Sequence, residues 1–380
     1  MPLDRTRWLG QVKRIVVKVG SNVLTREDGL NIDAIRTISR EVCGLIDRKI
    51  EVIMVSSGAM ASGLKKIGLA KRPDETPKRQ AISAVGQAGL IMEWENAFDR
   101  YGLKVAQILL TSDGFSSRNR YLNARNTLNT LLSWGVIPVI NENDTVTVES
   151  IQFGDNDHLA ALICLLMDVD ALINLTDIDG LYSADPRKFP DAQLIHTVET
   201  ITRDIERIST GIPGALGTGG MLTKIKAARK LTRAGIPMII ANGKQEGVLL
   251  RVLSSETVGT FFVPQKDRLN SRKCWIGYSL KPEGTLTIDE GAGSALVKRG
   301  KSLLPSGIIG VEGHFSKGAA VSIRDRSGRE LGVGLVNYPS QDIAKIMGIK
   351  TDHVQSRLGD KPYDEVVHRD NLVITAECTD

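Results

Sequence analysis

The sequence predicts an α/β fold: an open, mainly parallel sheet sandwiched by helices, followed by a small β-rich domain expected to be a compact barrel. Two observations carry this expectation. Strand-like and helix-like patterns alternate along the first two thirds of the chain, as a parallel sheet covered on both faces requires. After Pro264 the segments become short, glycine-rich and strand-like, the signature of a small all-β unit.

The elements follow in order. Arg14 to Val19 (RIVVKV) reads as a buried strand. From Asp33 to Arg48 the apolar residues Ile35, Ile38, Val42, Leu45 and Ile46 form a helical stripe. Glu51 to Ser56 is the next strand, Lys78 to Phe98 a long helix, and Lys104 to Leu110 a strand. A helix from about Asn119 to Ser133 leads to the strand Val136 to Ile140. Asp157 to Met167 is a helix, Ala171 to Leu175 a strand, Met221 to Arg233 a helix, and Pro237 to Ala241 a strand. A short strand, Gly259 to Val263, closes the series. The polar segment from Gln265 reads as a linker. Beyond it, strands are expected at Gly284 to Ile288, Gly307 to Val311, Ala319 to Arg324 and Leu331 to Val336. The expected organisation is therefore a first domain over 1–264, a linker over 265–279, a second domain over 280–360 and a tail over 361–380.

Composition narrows the function classes. With 380 residues the chain suits two domains. Its 42% hydrophobic and 24% charged residues are the balance of a globular protein that buries its core without disulfides. A net charge of +5 is compatible with anionic ligands but far from the strongly basic balance of a dedicated nucleic-acid binder. Cys43, Cys164, Cys274 and Cys378 are scattered without C-x-x-C spacing, which argues for a reducing compartment and against a zinc site. The N-terminus carries no apolar run, and the stretch Leu159 to Met167 is too short to span a bilayer. A cytoplasmic location with no membrane association is expected.

In such sheets, ligands sit beyond the carboxyl ends of the strands, and polar residues cluster there in five places. Lys18-Val19-Gly20-Ser21 ends the first strand. The lysine can point into a cleft, and Gly20 lets backbone approach a phosphate; an edge lysine followed by a turn glycine is the plainer alternative. Ser56-Ser57-Gly58-Ala59 opens a helix, where N–H groups attract anions and serine also serves as an ordinary cap. Asn141-Glu142-Asn143-Asp144 follows a strand and suits the charged ends of an amino acid, or a solvated loop. Gly154-Asp155-Asn156-Asp157 starts a helix with more polar residues than a cap needs. A carboxylate there could align lysines or hold magnesium through water. Thr176-Asp177 follows another strand, and Gly217 to Gly220 precedes Met221-Leu222-Thr223-Lys224 at a helix start, a run that can cradle phosphate.

Other signals fail. Gly300-Lys301-Ser302 would end a Walker A motif, but Ala295 stands at its first glycine. No Gly-x-Gly-x-x-Gly follows the first strand, which counts against a nicotinamide dehydrogenase. The five histidines show no metal-ligand spacing, and no direct protein ligand for a metal is expected.

The runs VKVGS, VSSGA, NENDTV, FGDND, LTDIDGLYSADPR and GTGGMLTK, in this order between Arg14 and Pro264, together resemble the amino-acid kinase family. The resemblance is greatest to its branch that phosphorylates the side-chain carboxylate of free L-glutamate at the start of proline biosynthesis. The β-rich remainder resembles a PUA domain, which many bacterial members of that branch carry. The resemblance implies ATP with Mg²⁺ as cofactors. It implies that Lys18 and Lys224 flank the transferring phosphoryl group and that Asp157 holds both lysines. Ser57, Asp144 and Asn156 would bind L-glutamate, with Asp155 close by. The nucleotide would be bound by Lys18, Gly20, Thr176 and Asp177, together with Thr218, Gly219, Gly220, Met221, Leu222, Thr223 and Lys224. It further implies inhibition by proline at an overlapping site and a homo-oligomer, dimer or tetramer, with Ser112 to Asn126 a candidate contact. Because an acyl phosphate hydrolyses readily, a downstream reductase is an expected partner.

Two alternatives stay open at this stage. One is another acyl-phosphate-forming kinase, for aspartate or acetylglutamate. The other is an RNA-binding protein on a kinase-like scaffold. Against RNA, basic residues exceed acidic ones by only about two between Leu280 and Asp360, a small counterion-release drive. Lys18, Asp157 and Lys224 have no purpose in a mere scaffold.

Overall fold

The computed structural model describes residues 4–27, 29–146, 156–210, 220–265 and 271–375. The chain divides into two compact units, one of 1–114 and 118–268, the other of 115–117 and 269–380.

The first unit runs α1 (Thr6–Leu9), β1 (Arg14–Val19), α2 (Ser21–Leu24), a hairpin of β2 (Thr25–Arg26) and β3 (Gly29–Leu30), α3 (Ile32–Asp47) and β4 (Glu51–Ser56). Then come α4 (Ala59–Ile67), α5 (Thr76–Asp99), β5 (Val105–Leu110), α6 (Arg118–Ser133), β6 (Ile137–Glu142), α7 (Asn156–Met167) and β7 (Ala171–Thr176). It ends with β8 (Thr197–Val198), α8 (Arg203–Thr210), α9 (Met221–Arg233), β9 (Met238–Asn242), α10 (Val248–Leu253) and β10 (Thr260–Phe262). The eight strands lie in the order β5-β6-β4-β1-β7-β9-β10-β8. Every pairing is parallel except that of β10 with β9. The expected strands and long helices are present, as is α4 after Ser56-Ser57-Gly58; α1, α2, β2, β3, α8, α10 and the short β8 add to them.

Strand alternation decides what each face does. Ile15, Val17, Val19, Val52, Met54, Ile173 and Leu175 join a core with Ile35, Ile38, Val42 and Leu45 of α3 and Leu90, Trp94 and Phe98 of α5. Lys18 and Asn174 are cross-strand partners in the parallel β1–β7 pair, so both point to the opposite face. There α7 packs, with every residue but His158 buried; a helix apolar nearly all round is the sequence mark of such a central position. α3 is capped by Asn31, whose side chain accepts from the Ala34 amide at 3.3 Å.

Helices α4 and α5 approach closely through glycines. A Cβ at Gly63 would lie 1.9 Å from the Ile82 carbonyl oxygen, and one at Gly86 1.8 Å from that of Ala59. Gly58 starts α4 in the left-handed region, at φ 110°, where side chains are strained.

The second unit contains α11 (Ser271–Tyr278), β11 (Gly284–Ile288), α12 (Glu290–Arg299), β12 (Ile308–Glu312), β13 (Ala320–Arg324), β14 (Glu330–Val336), α13 (Ser340–Ile346), α14 (Val354–Leu358) and β15 (Val367–Ile374). Its strands lie in the order β12-β11-β13-β14-β15, around a core that includes Leu286, Ile288, Ile308, Val321, Ile323 and Ile343. No ladder joins β12 to β15 among the described residues, although Leu303 bridges to Val367. Two segments differ from expectation. Part of 265–279, expected as a linker, is helix α11, with Trp275 and Ile276 buried. Within this unit the Trp275 indole donates to the Phe115 carbonyl at 3.0 Å. Part of 361–380, expected as a tail, is β15, which pairs antiparallel with β14. Its His368-Arg369-Asp370-Asn371 run breaks the apolar alternation that marks a strand, and the ladder supplies what the pattern lacks.

Candidate active site

The carboxyl ends of β1, β4, β6 and β7 converge on one edge of the sheet, and the helices that follow begin there. α7 starts with Asn156 and Asp157, and α9 brings Lys224 one turn from its start. The Lys18 ammonium lies 2.7 Å from Asp157 Oδ1, and the Lys224 ammonium 3.1 Å from Asp157 Oδ2. Two further donors complete the carboxylate: Asn174 Nδ2 to Oδ1 at 2.8 Å and the Thr223 hydroxyl to Oδ2 at 2.6 Å. Asp157 is 1% exposed and the two lysines 6% and 7%.

Taking these charges out of water is costly and is tolerated only when lone pairs and protons find partners. Each oxygen of Asp157 here meets one ammonium and one neutral donor. Burial by itself would raise the Asp157 pKa; the two lysines and the hydrogen bonds outweigh it and hold the carboxyl far below its ordinary range. One negative charge faces two positive ones, so the centre is net cationic and suited to a further anion.

A cleft of about 840 Å³ lies beside it, lined by Ser57, Asn141, Asp144, Asn156 and Asp177 among others. With Ser21 also in its wall, it brings together residues from all five sequence clusters. The Asn156 amide is built into the wall. Its Nδ2 donates to Ser57 Oγ at 3.1 Å and Asn141 Oδ1 at 2.9 Å, and its Oδ1 accepts from the Glu142 amide at 3.3 Å. Ser57 is tied to β1 through its amide, which donates to the Val19 carbonyl at 3.1 Å. Asp144 differs: its Oδ1 is buried with no hydrogen-bond partner among the described residues. Burial pushes its pKa up, against the lowering influence of Ser83 and Arg72.

On the other side, Asn22 Nδ2 donates to Asp177 Oδ2 at 3.0 Å, and Thr176 closes β7 with its hydroxyl on Asp177 at 3.2 Å. Gly20 joins β1 to β7. Its N–H donates to the Leu175 carbonyl at 2.9 Å and is not available to a phosphate. A Cβ there would lie 3.2 Å from that oxygen and 3.7 Å from the Lys18 ammonium, so the glycine keeps space beside the lysine. The amides of Ser21 and Asn22, in the first turn of α2, have no intrahelical acceptor. Gly220, Met221 and Leu222 open α9, with the Met221 side chain buried; their first-turn amides are similarly placed. Asp155, Thr218 and Gly219 lie outside the described residues.

Sequence reasoning did not single out Asn174, Asn22, Arg72 or Ser83. Asn174 has the clearest signal, an amide inside the apolar strand ALINLT. His158, beside Asp157, is pushed down to about 4 by burial and by Lys230, consistent with a residue serving packing. No group of three or more His, Cys, Asp or Glu residues placed to hold a metal ion occurs among the described residues. Both Asp157 oxygens are committed to the two lysines, Asn174 and Thr223.

Comparison with known proteins adds the following. Residues 13–242 match the amino acid kinase family and residues 284–358 match the PUA domain. The glutamate 5-kinase of Caldanaerobacter subterraneus subsp. tengcongensis is 51% identical over 362 residues, 95% of this chain and 97% of that protein. The glutamate 5-kinase of Syntrophotalea carbinolica is 49% identical over 370 residues, 97% of this chain and 99% of that one. Among solved structures, a UMP kinase from Bacillus anthracis covers 67% of this chain and 97% of its own, with a TM-score of 0.47 and 17% identity.

Proposed function

The chain belongs to the amino acid kinase family, and from that premise we infer that it catalyses the glutamate 5-kinase reaction. The γ-phosphoryl group of ATP passes to the side-chain carboxylate of L-glutamate, giving L-glutamyl 5-phosphate and ADP, the first step of proline biosynthesis. The observation that carries this is identity of about half to glutamate 5-kinases along nearly the whole chain.

On this reading Lys18 and Lys224 flank the transferring group, and Asp157 sets their separation. Two ammonium groups held by one carboxylate support these roles. The nucleophile is a carboxylate with an ordinary pKa of about 4.3, already ionised near neutrality, so the reaction needs no general base. Catalysis reduces to aligning two anions and offsetting their charge. The substrate is MgATP, its cation carried on the phosphates. Asp177, Thr176 and the first turns of α2 and α9 hold the nucleotide, while Ser57, Asn156 and Asp144 receive glutamate. Asp144 Oδ1, buried with no hydrogen-bond partner among the described residues, supports the last assignment: it can accept from a cationic donor, and glutamate has one in its α-ammonium. Asp155, Thr218 and Gly219 take part in the same sites by resemblance. Proline inhibition rests on the resemblance as well. A homo-oligomer is supported by β5, a sheet-edge strand with Leu109 exposed, and by Trp134, which is 71% exposed.

The test is to incubate the protein with MgATP, L-glutamate and hydroxylamine, which traps an acyl phosphate as a hydroxamate. Hydroxamate should form with L-glutamate and not with aspartate or N-acetylglutamate. An ADP signal without hydroxamate would defeat the assignment.

A further inference from the structure

We propose that Arg72 and Ser83 complete, around Asp144, a pocket that reads both backbone charges of an α-amino acid: Asp144 and Ser83 meet the ammonium, and Arg72 meets the carboxylate. The proposal rests on the glutamate reading above and extends it to residues that reading leaves without a role.

Ser83 lies on α5 and lines the cleft together with Asp144. It is 1% exposed, yet its hydroxyl makes no bond in hydrogen-bonding geometry with any described residue. It is near enough to Asp144 to favour the ionised carboxylate. Neither the buried Ser83 hydroxyl nor the neighbouring Asp144 Oδ1 has a partner in good hydrogen-bonding geometry among the described residues, and such groups are costly to leave unsatisfied. One ligand group satisfies both at once, an ammonium with several N–H donors. A carboxylate in that position would not, and a neutral amide would leave the Asp144 charge uncompensated.

Arg72 stands between α4 and α5, exposed at the rim, and lines the same cleft. Its positive charge acts on Asp144 across the cleft. Arg72 and Asp144 therefore present opposite charges to one space, the complement of a zwitterion. The planar guanidinium fork matches a carboxylate's two oxygens. The acid's remaining carboxylate then extends past Ser57 and Asn156 towards the lysine pair. Such a pocket discriminates by chemistry: an N-acylated acid has no ammonium for Asp144, and a decarboxylated one has nothing for Arg72.

The experiment compares wild type, Arg72→Leu and Ser83→Ala in the hydroxamate assay at saturating MgATP. Glutarate (no ammonium) and 4-aminobutyrate (no α-carboxylate) serve as competing ligands. Arg72→Leu should raise KM for glutamate about 10- to 100-fold, as loss of a charged hydrogen-bonded contact does. Its kcat should stay within about threefold, because the contact is made equally in ground and transition states. It should weaken glutarate but leave 4-aminobutyrate unchanged. Ser83→Ala should raise KM for glutamate several-fold and leave glutarate unchanged. The proposal fails if Arg72→Leu keeps KM within about twofold of wild type, or if it weakens both analogues equally, which would mean general attraction rather than contact. It fails for Ser83 if Ser83→Ala leaves KM unaltered. A wild-type protein that forms no hydroxamate from glutamate would instead overturn the function itself.

Discussion

On the proposed reading, Asp157 organises the site without touching the reaction. Its two oxygens hold Lys18 and Lys224 at 2.7 Å and 3.1 Å, so two cations from distant parts of the chain share one position in space. Asn174 and Thr223 fix that carboxylate further. If Lys224 acts mainly on charge that develops in transfer, its loss lowers kcat far more than it raises KM. Lys224→Ala is expected to reduce kcat by at least about 100-fold, the scale for losing one preorganised electrostatic donor. Steady-state kinetics with both substrates varied would measure this, and a near-normal kcat would remove Lys224 from the chemistry.

At the scale of elements, helix–helix and helix–sheet contacts place these residues. The α4–α5 contact depends on glycine, because backbone of one helix lies where a Cβ of the other would be. Gly86→Ala puts a methyl 1.8 Å from the Ala59 carbonyl oxygen. The helices must then separate, at about 1–3 kcal/mol of stability. Ser83, one turn away on α5, should shift with them, so glutamate KM should rise while that for ATP stays constant. Chemical denaturation and kinetics on the same variant test both halves. Helix α7 carries its own pH dependence. His158 has a folded pKa near 4 against about 6.5 when unfolded. Between these values the unfolded chain binds a proton that the folded one does not. Stability is therefore complete above about pH 6.5 and declines as pH falls towards 4, by on the order of 3 kcal/mol. His158→Leu should flatten that part of the stability profile, measured by denaturant unfolding from pH 4 to 7.

At the scale of the whole molecule, the two units have separate cores and different demands on charge. The second unit matches the PUA domain, and the chain's net charge is only +5. Filter binding to tRNA at low salt is expected to show no submicromolar, salt-sensitive complex; finding one would give this unit a nucleic-acid partner. The sequence by itself determined the alternation of strands and helices, the change of character after Pro264, and the polar clusters at strand ends. Those are local patterns, set by side-chain periodicity and turn chemistry, and Lys18, Asp157 and Lys224 stand out in them. Helix α11 and strand β15 did not stand out, because their burial comes from partners distant in sequence. For the same reason only the tertiary structure decided that Asn174 completes Asp157, that Gly20 spends its N–H on Leu175, and that Ser83, Arg72 and Asp144 line one cleft. Which donor meets which acceptor depends on strand register and helix separation, and neither is written in any single stretch of chain.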